Sequence, residues 1–269
     1  MQIYPRYLMR NLFFTFLLLA TNVLQVNHSY AADIQVITSG AFAEALKELA
    51  PEYEKQSPNK VIISYGSSMG AAPDSIPSRL AKGQQFDVLI LAVPALEGFI
   101  KSGDLQSGTR VDLVASVMGA VVKAGAPKPD ISTMNGLKLA LLNAKSVAYS
   151  ASASGVYLST ELFPKMGIAE QMDKTARKIY SERVASVVAR GDAELGFQQV
   201  SELLPIPGVE FIGELPPEAQ KTVLFSAGIT SDTQNLAASK DLIEYLASTK
   251  AVATIQRAGL KPVLPALPW

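Results

Sequence analysis

The chain has 269 residues, with 24 Lys plus Arg balanced by 24 Asp plus Glu, so it has no net basic field with which to hold a nucleic acid. It contains no cysteine and one histidine, His28, which excludes disulfides and leaves almost no scope for thiolate or imidazole zinc sites or for Cys or His nucleophiles. With 48% hydrophobic and 18% charged residues, the composition is that of a globular protein with one large core or two smaller ones.

Residues 1–31 read as a secretion signal. Arg6 and Arg10 give a basic start, Leu12 to Leu24 is mostly apolar, and Ser29-Tyr30-Ala31 puts small residues at the cleavage positions, so cleavage is expected after Ala31. The apolar stretch is shorter than the ~20 residues of a spanning helix, and Thr15, Thr21 and Asn22 interrupt it. With no cysteine available for a lipid anchor, a free periplasmic protein is expected. Removing the leader takes away His28 and two Arg, leaving 22 basic and 24 acidic groups, a net charge of −2.

The remainder alternates short apolar runs with amphipathic windows. Ile34 to Thr38 reads as a strand and Ala43 to Tyr53 as a helix, with Ala43, Leu46, Ala50 and Tyr53 at helical spacing. Val61 to Ser64 and Phe86 to Ala92 read as further strands, with helices near Ile76 to Ala81 and Ala95 to Ile100. The run Asp87-Val88-Leu89-Ile90-Leu91-Ala92-Val93 is almost wholly apolar, as in a parallel sheet covered on both faces. Past Ala115 the pattern restarts. Strands are expected at Val117 to Lys123, Ser146 to Tyr149, Arg177 to Tyr180, Glu194 to Gln198 and Val209 to Ile212, with helices near Met134 to Asn143, Gly155 to Met166 and Val184 to Arg190. A Pro-rich loop follows over 205–217, then a strand at Thr222 to Thr230 and helices at Ala237 to Leu246 and Ala251 to Ala258. An α/β class is expected, built as two lobes with mainly parallel sheets flanked by helices. Residues 32–114 form the first part of lobe one, 115–217 lobe two, and 218–269 the return to lobe one.

Three strand-to-helix turns are rich in small polar residues: Thr38-Ser39-Gly40-Ala41, Tyr65-Gly66-Ser67-Ser68-Met69-Gly70 and Ser150-Ala151-Ser152-Ala153-Ser154-Gly155. Free N–H groups at helix starts, with serine hydroxyls and glycines that allow close approach, make an anion cradle without a formal charge. Serine and glycine also cap helices and turn chains, but three such turns after successive strands favour a ligand cleft. Arg183 is placed to hold a carboxylate and Gln199 to donate an amide hydrogen bond, with Tyr65 and Tyr157 as candidate walls. Arg79, Lys82 and Arg190 read as surface charges. A GxxxxGKS phosphate loop and an acidic metal cluster are missing from the sequence, and no cofactor is expected.

The sequence resembles the type II periplasmic solute-binding proteins, in particular the molybdate-binding branch that serves ABC importers. The resemblance is carried by IQVITSGAFAEALKELAPEYEKQ, ISYGSSMG with IPSRLAKGQQFDVLILA, YSASASGVYLSTELFPKMG and RVASVVARGDAELGFQQVSEL. It implies two lobes closing on an anion about a hinge, with crossings near residues 113–118 and 214–222. The oxyanion positions differ from that branch. The first-turn serine is replaced by Ala41 and the second is kept as Ser68. The third turn has Ser154, the position before the fourth helix falls on Val184, and the pocket tyrosine is replaced by Gln199. The turns GSSMG, YSASASGVYLS and ARGDAELGFQQVSEL are closer to a side branch similar to the periplasmic aconitate isomerases. That resemblance implies a small anionic substrate, a tricarboxylate or an oxyanion, held by Ser39, Gly40, Ala41, Ser67, Ser68, Ser154, Gly155, Arg183, Val184 and Gln199. It also implies an allylic proton shift that needs a base. Without His or Cys in the mature chain that base is a carboxylate, lysine, tyrosinate or assisted serine. Glu182 is the nearest carboxylate in sequence, although its neighbour Arg183 would weaken it as a base. The alternative is a non-enzymatic monomeric receptor delivering a carboxylate or oxyanion to the membrane component of an ABC importer.

Overall fold

Every residue from Val88 to Ala92 is buried, because this strand is covered on both faces. In the computed structural model, which describes residues 31–269, Val88, Ile90 and Ala92 pack with Phe42, Leu46 and Leu49 on one side. Leu89 and Leu91 pack with Ile76, Leu96 and Leu105 on the other. Side chains alternate across a strand, so a strand covered twice has no polar face, and each buried Val, Leu or Ile contributes ~1.5–3 kcal/mol of transfer free energy. The leader expected over residues 1–31 lies outside the described residues, apart from Ala31.

The chain first forms β1 (Asp33–Thr38), α1 (Gly40–Glu54), β2 (Lys60–Tyr65), α2 (Ile76–Ala81), β3 (Val88–Ala92), α3 (Val93–Ser102) and β4 (Val111–Ser116). It continues through β5 (Met118–Lys123), α4 (Met134–Asn143), β6 (Val147–Ser150), α5 (Ala153–Tyr157), α6 (Ala169–Thr175) and β7 (Ala176–Ile179). Then come α7 (Val184–Arg190), β8 (Leu195–Gln199), α8 (Val200–Leu203) and β9 (Val209–Glu214). β10 (Val223–Ile229), α9 (Leu236–Leu246), α10 (Val252–Arg257) and β11 (Lys261–Pro262) complete it. After α5 the chain stays helical through a π turn, Leu158–Leu162, into Phe163–Lys165.

The strands form two sheets, ordered β11-β4-β10-β3-β1-β2 and β7-β6-β8-β5-β9. The α/β, two-lobed build expected from the alternation is what is found. The parallel pairs are β1 with β2 and β3, and β6 with β7 and β8, all linked by helical crossovers. Strands β10, β4 and β11 add antiparallel pairs to the first sheet, and β5 pairs antiparallel with β8 and β9, so both sheets are mixed where mainly parallel ones were expected. The chain passes from one sheet to the other at Val117, between β4 and β5, and returns between Glu214 and Val223. The second sheet also has a core on each face. Met118, Ala120, Val147, Leu195 and Phe197 lie on one side, and Val121 and Ala148 pack under Val184, Val187 and Val188 of α7 on the other. β4, α6, α8 and β11 are elements that sequence periodicity does not announce. Two and four residues, the lengths of β11 and α8, are too few to display a period.

Candidate functional site

Five strands end at one cleft of about 440 Å³. Beyond β1 it is lined by Ser39 and Gly40, beyond β2 by Gly66 and Ser67, and beyond β6 by residues 150–154. Beyond β7 come residues 180–183, and at the end of β8 Gln198 and Gln199, followed by Glu202 from α8. These are the carboxyl ends of the strands that pair in parallel, where an α/β sheet leaves room between its outgoing turns.

Several of the residues lining the cleft carry a buried polar atom without a partner. Ser39 caps α1 in an extended conformation, φ −76° and ψ 163°, but its side chain makes no capping hydrogen bond. Its Oγ is buried and unpartnered. Gln199 accepts from the Ser116 hydroxyl at 2.7 Å through Oε1, so its amide nitrogen faces the other way, buried and without an acceptor. Arg183 donates from Nη2 to Glu44 Oε1 at 2.7 Å, a contact joining the two halves of the site, while its Nη1 is buried and unpartnered. Ser201, Ser239 and Arg79 also have buried unpartnered atoms, but they do not line the cleft. Buried donors without partners are uncommon in folded proteins and call for an explanation. Here three of them, from three separate elements, belong to residues that line one cleft.

Glu202 is one of the carboxylates that line this space. Burial pushes its carboxyl up to about 7, against the opposing pull of the Arg183 guanidinium and of a hydrogen bond from Gln198. Gln198 donates from Nε2 to Glu202 Oε2 at 2.6 Å, while its Oε1 accepts from the Val184 backbone N–H at 2.9 Å. The Glu202 carboxyl rests against the Cα of Gly40, where any Cβ would collide with it. Burial also pushes the Tyr65 hydroxyl up, with Glu44 adding to the effect, so it is no base near neutrality. Among the described residues, no group of three or more His, Cys, Asp or Glu is placed to hold a metal ion. The cleft can therefore bind an anion through fixed donors and exchange a proton through one carboxyl.

A family of bacterial extracellular solute-binding proteins matches residues 34–261. The chain belongs to this family. Among its relatives, an aconitate isomerase from a Pseudomonas species is 46% identical over 235 residues, covering 87% of this chain and 89% of that protein. The molybdate-binding protein ModA of Azotobacter vinelandii is 26% identical over 251 residues, covering 85% and 90%. The solved Azotobacter vinelandii periplasmic molybdate-binding protein shares the fold, with a TM-score of 0.69 at 23% identity over 87% of this chain and 100% of that one. The sulfate-binding protein SubI of Mycobacterium tuberculosis H37Rv has a TM-score of 0.68 at 17% identity, covering 89% of each.

In this solute-binding protein Ser39, Gly40, Ser67, Ser154, Arg183 and Gln199 line the cleft, and the other positions singled out from sequence have different surroundings. Ala41 points into the core under α1. Ser68 is fully buried, and its Oγ accepts from the Ala92 N–H at 3.0 Å, fastening the turn after β2 to the end of β3. Val184 spends its N–H on Gln198. Gly155 sits so close to the Ser150 carbonyl that a Cβ would clash with backbone. The Ser154 hydroxyl is shared with Ser150 at 3.1 Å, and Ser67 donates to the Met69 carbonyl at 2.9 Å. Tyr157 donates to the Ala219 carbonyl at 3.0 Å and is not a wall of the cleft. Glu182 lines the cleft but is largely exposed and tied to Arg190 at 2.8 Å, which holds its carboxyl below the usual range. A weak base results. Arg190 is an exposed charge, as its sequence context suggests, whereas Arg79 is half-buried with one shielded nitrogen.

Sequence reasoning missed Glu202. It stands three residues after Gln199 in the run Gly196-Phe197-Gln198-Gln199-Val200-Ser201-Glu202-Leu203. A carboxylate in the first turn after a buried strand was its only signal, and Glu182, adjacent to Arg183, is the more conspicuous carboxylate in one dimension.

Proposed function

We propose that this protein is an aconitate isomerase, interconverting trans- and cis-aconitate by a proton shift across the allylic unit. The observation that carries the reading is one cleft lined by Ser39, Arg183 and Gln199, each with a buried polar atom that has no partner, together with Glu202. It is supported by the 46% identity with a relative of that name. Aconitate carries three carboxylates, and hydrogen bonds from charged or fixed donors are what a polyanion needs in a partly desolvated space. In the reaction a proton leaves the methylene carbon and the electron pair spreads into the adjoining double bond and carboxylate. The double bond moves over by one carbon, and a proton is added at the far end of the unit. No oxidant or reductant enters. Donors aimed at the carboxylate that takes up the charge lower the barrier. We place this activity in the periplasm, after removal of residues 1–31, on a monomer.

The family favours a second reading, a receptor that hands a carboxylate or oxyanion to the membrane component of an ABC importer. An NMR time course with purified mature protein and trans-aconitate separates the two, with thermal-shift wells containing cis-aconitate, citrate and molybdate. The isomerase reading expects protein-dependent appearance of cis-aconitate. A ligand-dependent rise in Tm without turnover overturns it in favour of the receptor.

A further inference from the structure

The allylic shift needs a group that removes a proton from carbon and returns one, and four carboxylates line the cleft: Glu44, Asp74, Glu182 and Glu202. Glu44 is paired with Arg183 and Glu182 with Arg190, so both are already engaged by a guanidinium. Asp74 is open to solvent, where hydration keeps a carboxylate a poor acceptor of a carbon-bound proton. Glu202 alone combines partial burial with the absence of an ion pair among the described residues. It is also held in place without an ion pair. Gln198 has its amide oxygen fixed by the Val184 N–H and so presents its NH₂ to Glu202 Oε2. Gly40, lacking a side chain, lets the carboxyl lie against the start of α1, in the cleft that Ser39, Arg183 and Gln199 also line.

We infer, resting on the isomerase reading, that Glu202 is the proton carrier: its carboxylate takes the proton from the methylene carbon of bound aconitate, and the acid so formed returns it to the carbon at the other end of the allylic unit. The balance closes within the site. The C–H bond breaks as the O–H bond forms, and the freed pair becomes the new C=C bond. The former π pair then takes the proton from Glu202 to make the new C–H bond, restoring the carboxylate. The two carbons are separated by a single atom, so one carboxyl on one face of the substrate can serve both. Burial that holds the carboxyl near neutrality suits both half-reactions, since the group must accept and donate with comparable ease.

The test uses purified mature wild type, Glu202→Gln and Glu202→Asp, each assayed for turnover of trans-aconitate by NMR and for the Tm rise it induces. In Glu202→Gln turnover is expected to fall ~10²- to 10⁴-fold while trans-aconitate still raises Tm. Turnover within ten-fold of wild type overturns the assignment and leaves the isomerase reading standing. Loss of the Tm rise together with turnover overturns it too, making Glu202 a binding group. Should Glu202→Gln fail to fold, Glu202→Asp carries the test, with a fall of about ten-fold or more expected and unchanged turnover overturning the assignment. Wild-type protein inert towards trans-aconitate would overturn the isomerase reading itself, and the assignment with it.

Discussion

Both ends of the Gln198 amide are engaged, and at the residue scale this fixes which neighbours stay free for a ligand. The Arg183 fork has one arm on Glu44 and one arm free. Arg183→Ala should weaken trans-aconitate binding by ~1.5–3 kcal/mol, the worth of a hydrogen bond to a charged group, measured by calorimetry. Ser68 gives the opposite outcome: its hydroxyl holds the Ala92 N–H and does not line the cleft. Ser68→Ala should therefore lower stability by ~1–3 kcal/mol in urea melts, through the buried donor it orphans, with affinity unchanged. Glu202 sets the pH behaviour. Its folded value of about 7 lies above the unfolded value of 4.5, so the folded state binds more protons between them. Stability from this group is complete below about 4.5 and is lost as pH rises through about 7. The charged groups around it in the cleft are Glu182 and Arg183 from the loop before α7, Glu44 and Lys47 from α1, and Asp74 from the loop before α2. β8 brings only Gln198 and Gln199. Glu202→Gln should thus gain stability relative to wild type between pH 5 and pH 8, read from paired thermal melts. In wild type kcat/KM should rise with pH through about 7 as the base form appears.

At the scale of elements, the site depends on the few residues just past each strand end. α8 has only four residues, yet it turns the chain sharply enough to bring Glu202 onto the start of α1. Gly40→Ala tests that approach. The new Cβ would meet the far end of a flexible side chain, so the carboxyl must swing away while the fold gives little. Turnover should drop by an order of magnitude or more, with Tm changed by only a few degrees in a thermal melt. The long elements were legible in the sequence because their periods are long enough to read. Phe42, Leu46, Leu49 and Tyr53 stack on one face of α1, and Val88–Ala92 announces itself by having no polar residue. The short ones were not, and α8 is the short element that holds Glu202.

For the whole molecule, the cleft takes donors from both sheets: Ser39 follows a strand of the first, and Arg183 and Gln199 belong to the second. A ligand that bridges them stabilises the folded chain by mass action. Trans-aconitate at 100 times its Kd should add ~2.7 kcal/mol, seen as a Tm rise that Arg183→Ala reduces at the same concentration. The amino-acid sequence by itself determined the α/β class and two-lobed build, because burial periodicity and strand-to-helix turns are local properties of the chain. It also pointed to the turns that meet at the cleft, since small polar residues collect where strand ends need close approach. The tertiary structure decided which of their atoms remain without partners. Ser68 and Val184 look like anion donors in one dimension, yet their polar groups are spent on Ala92 and Gln198, partners 24 and 14 residues away. Glu182 and Glu202 are both glutamates near Arg183 in space or sequence. Only packing gives one an exposed arginine partner and shelters the other against Gly40, because desolvation and pairing depend on contacts distant in the chain.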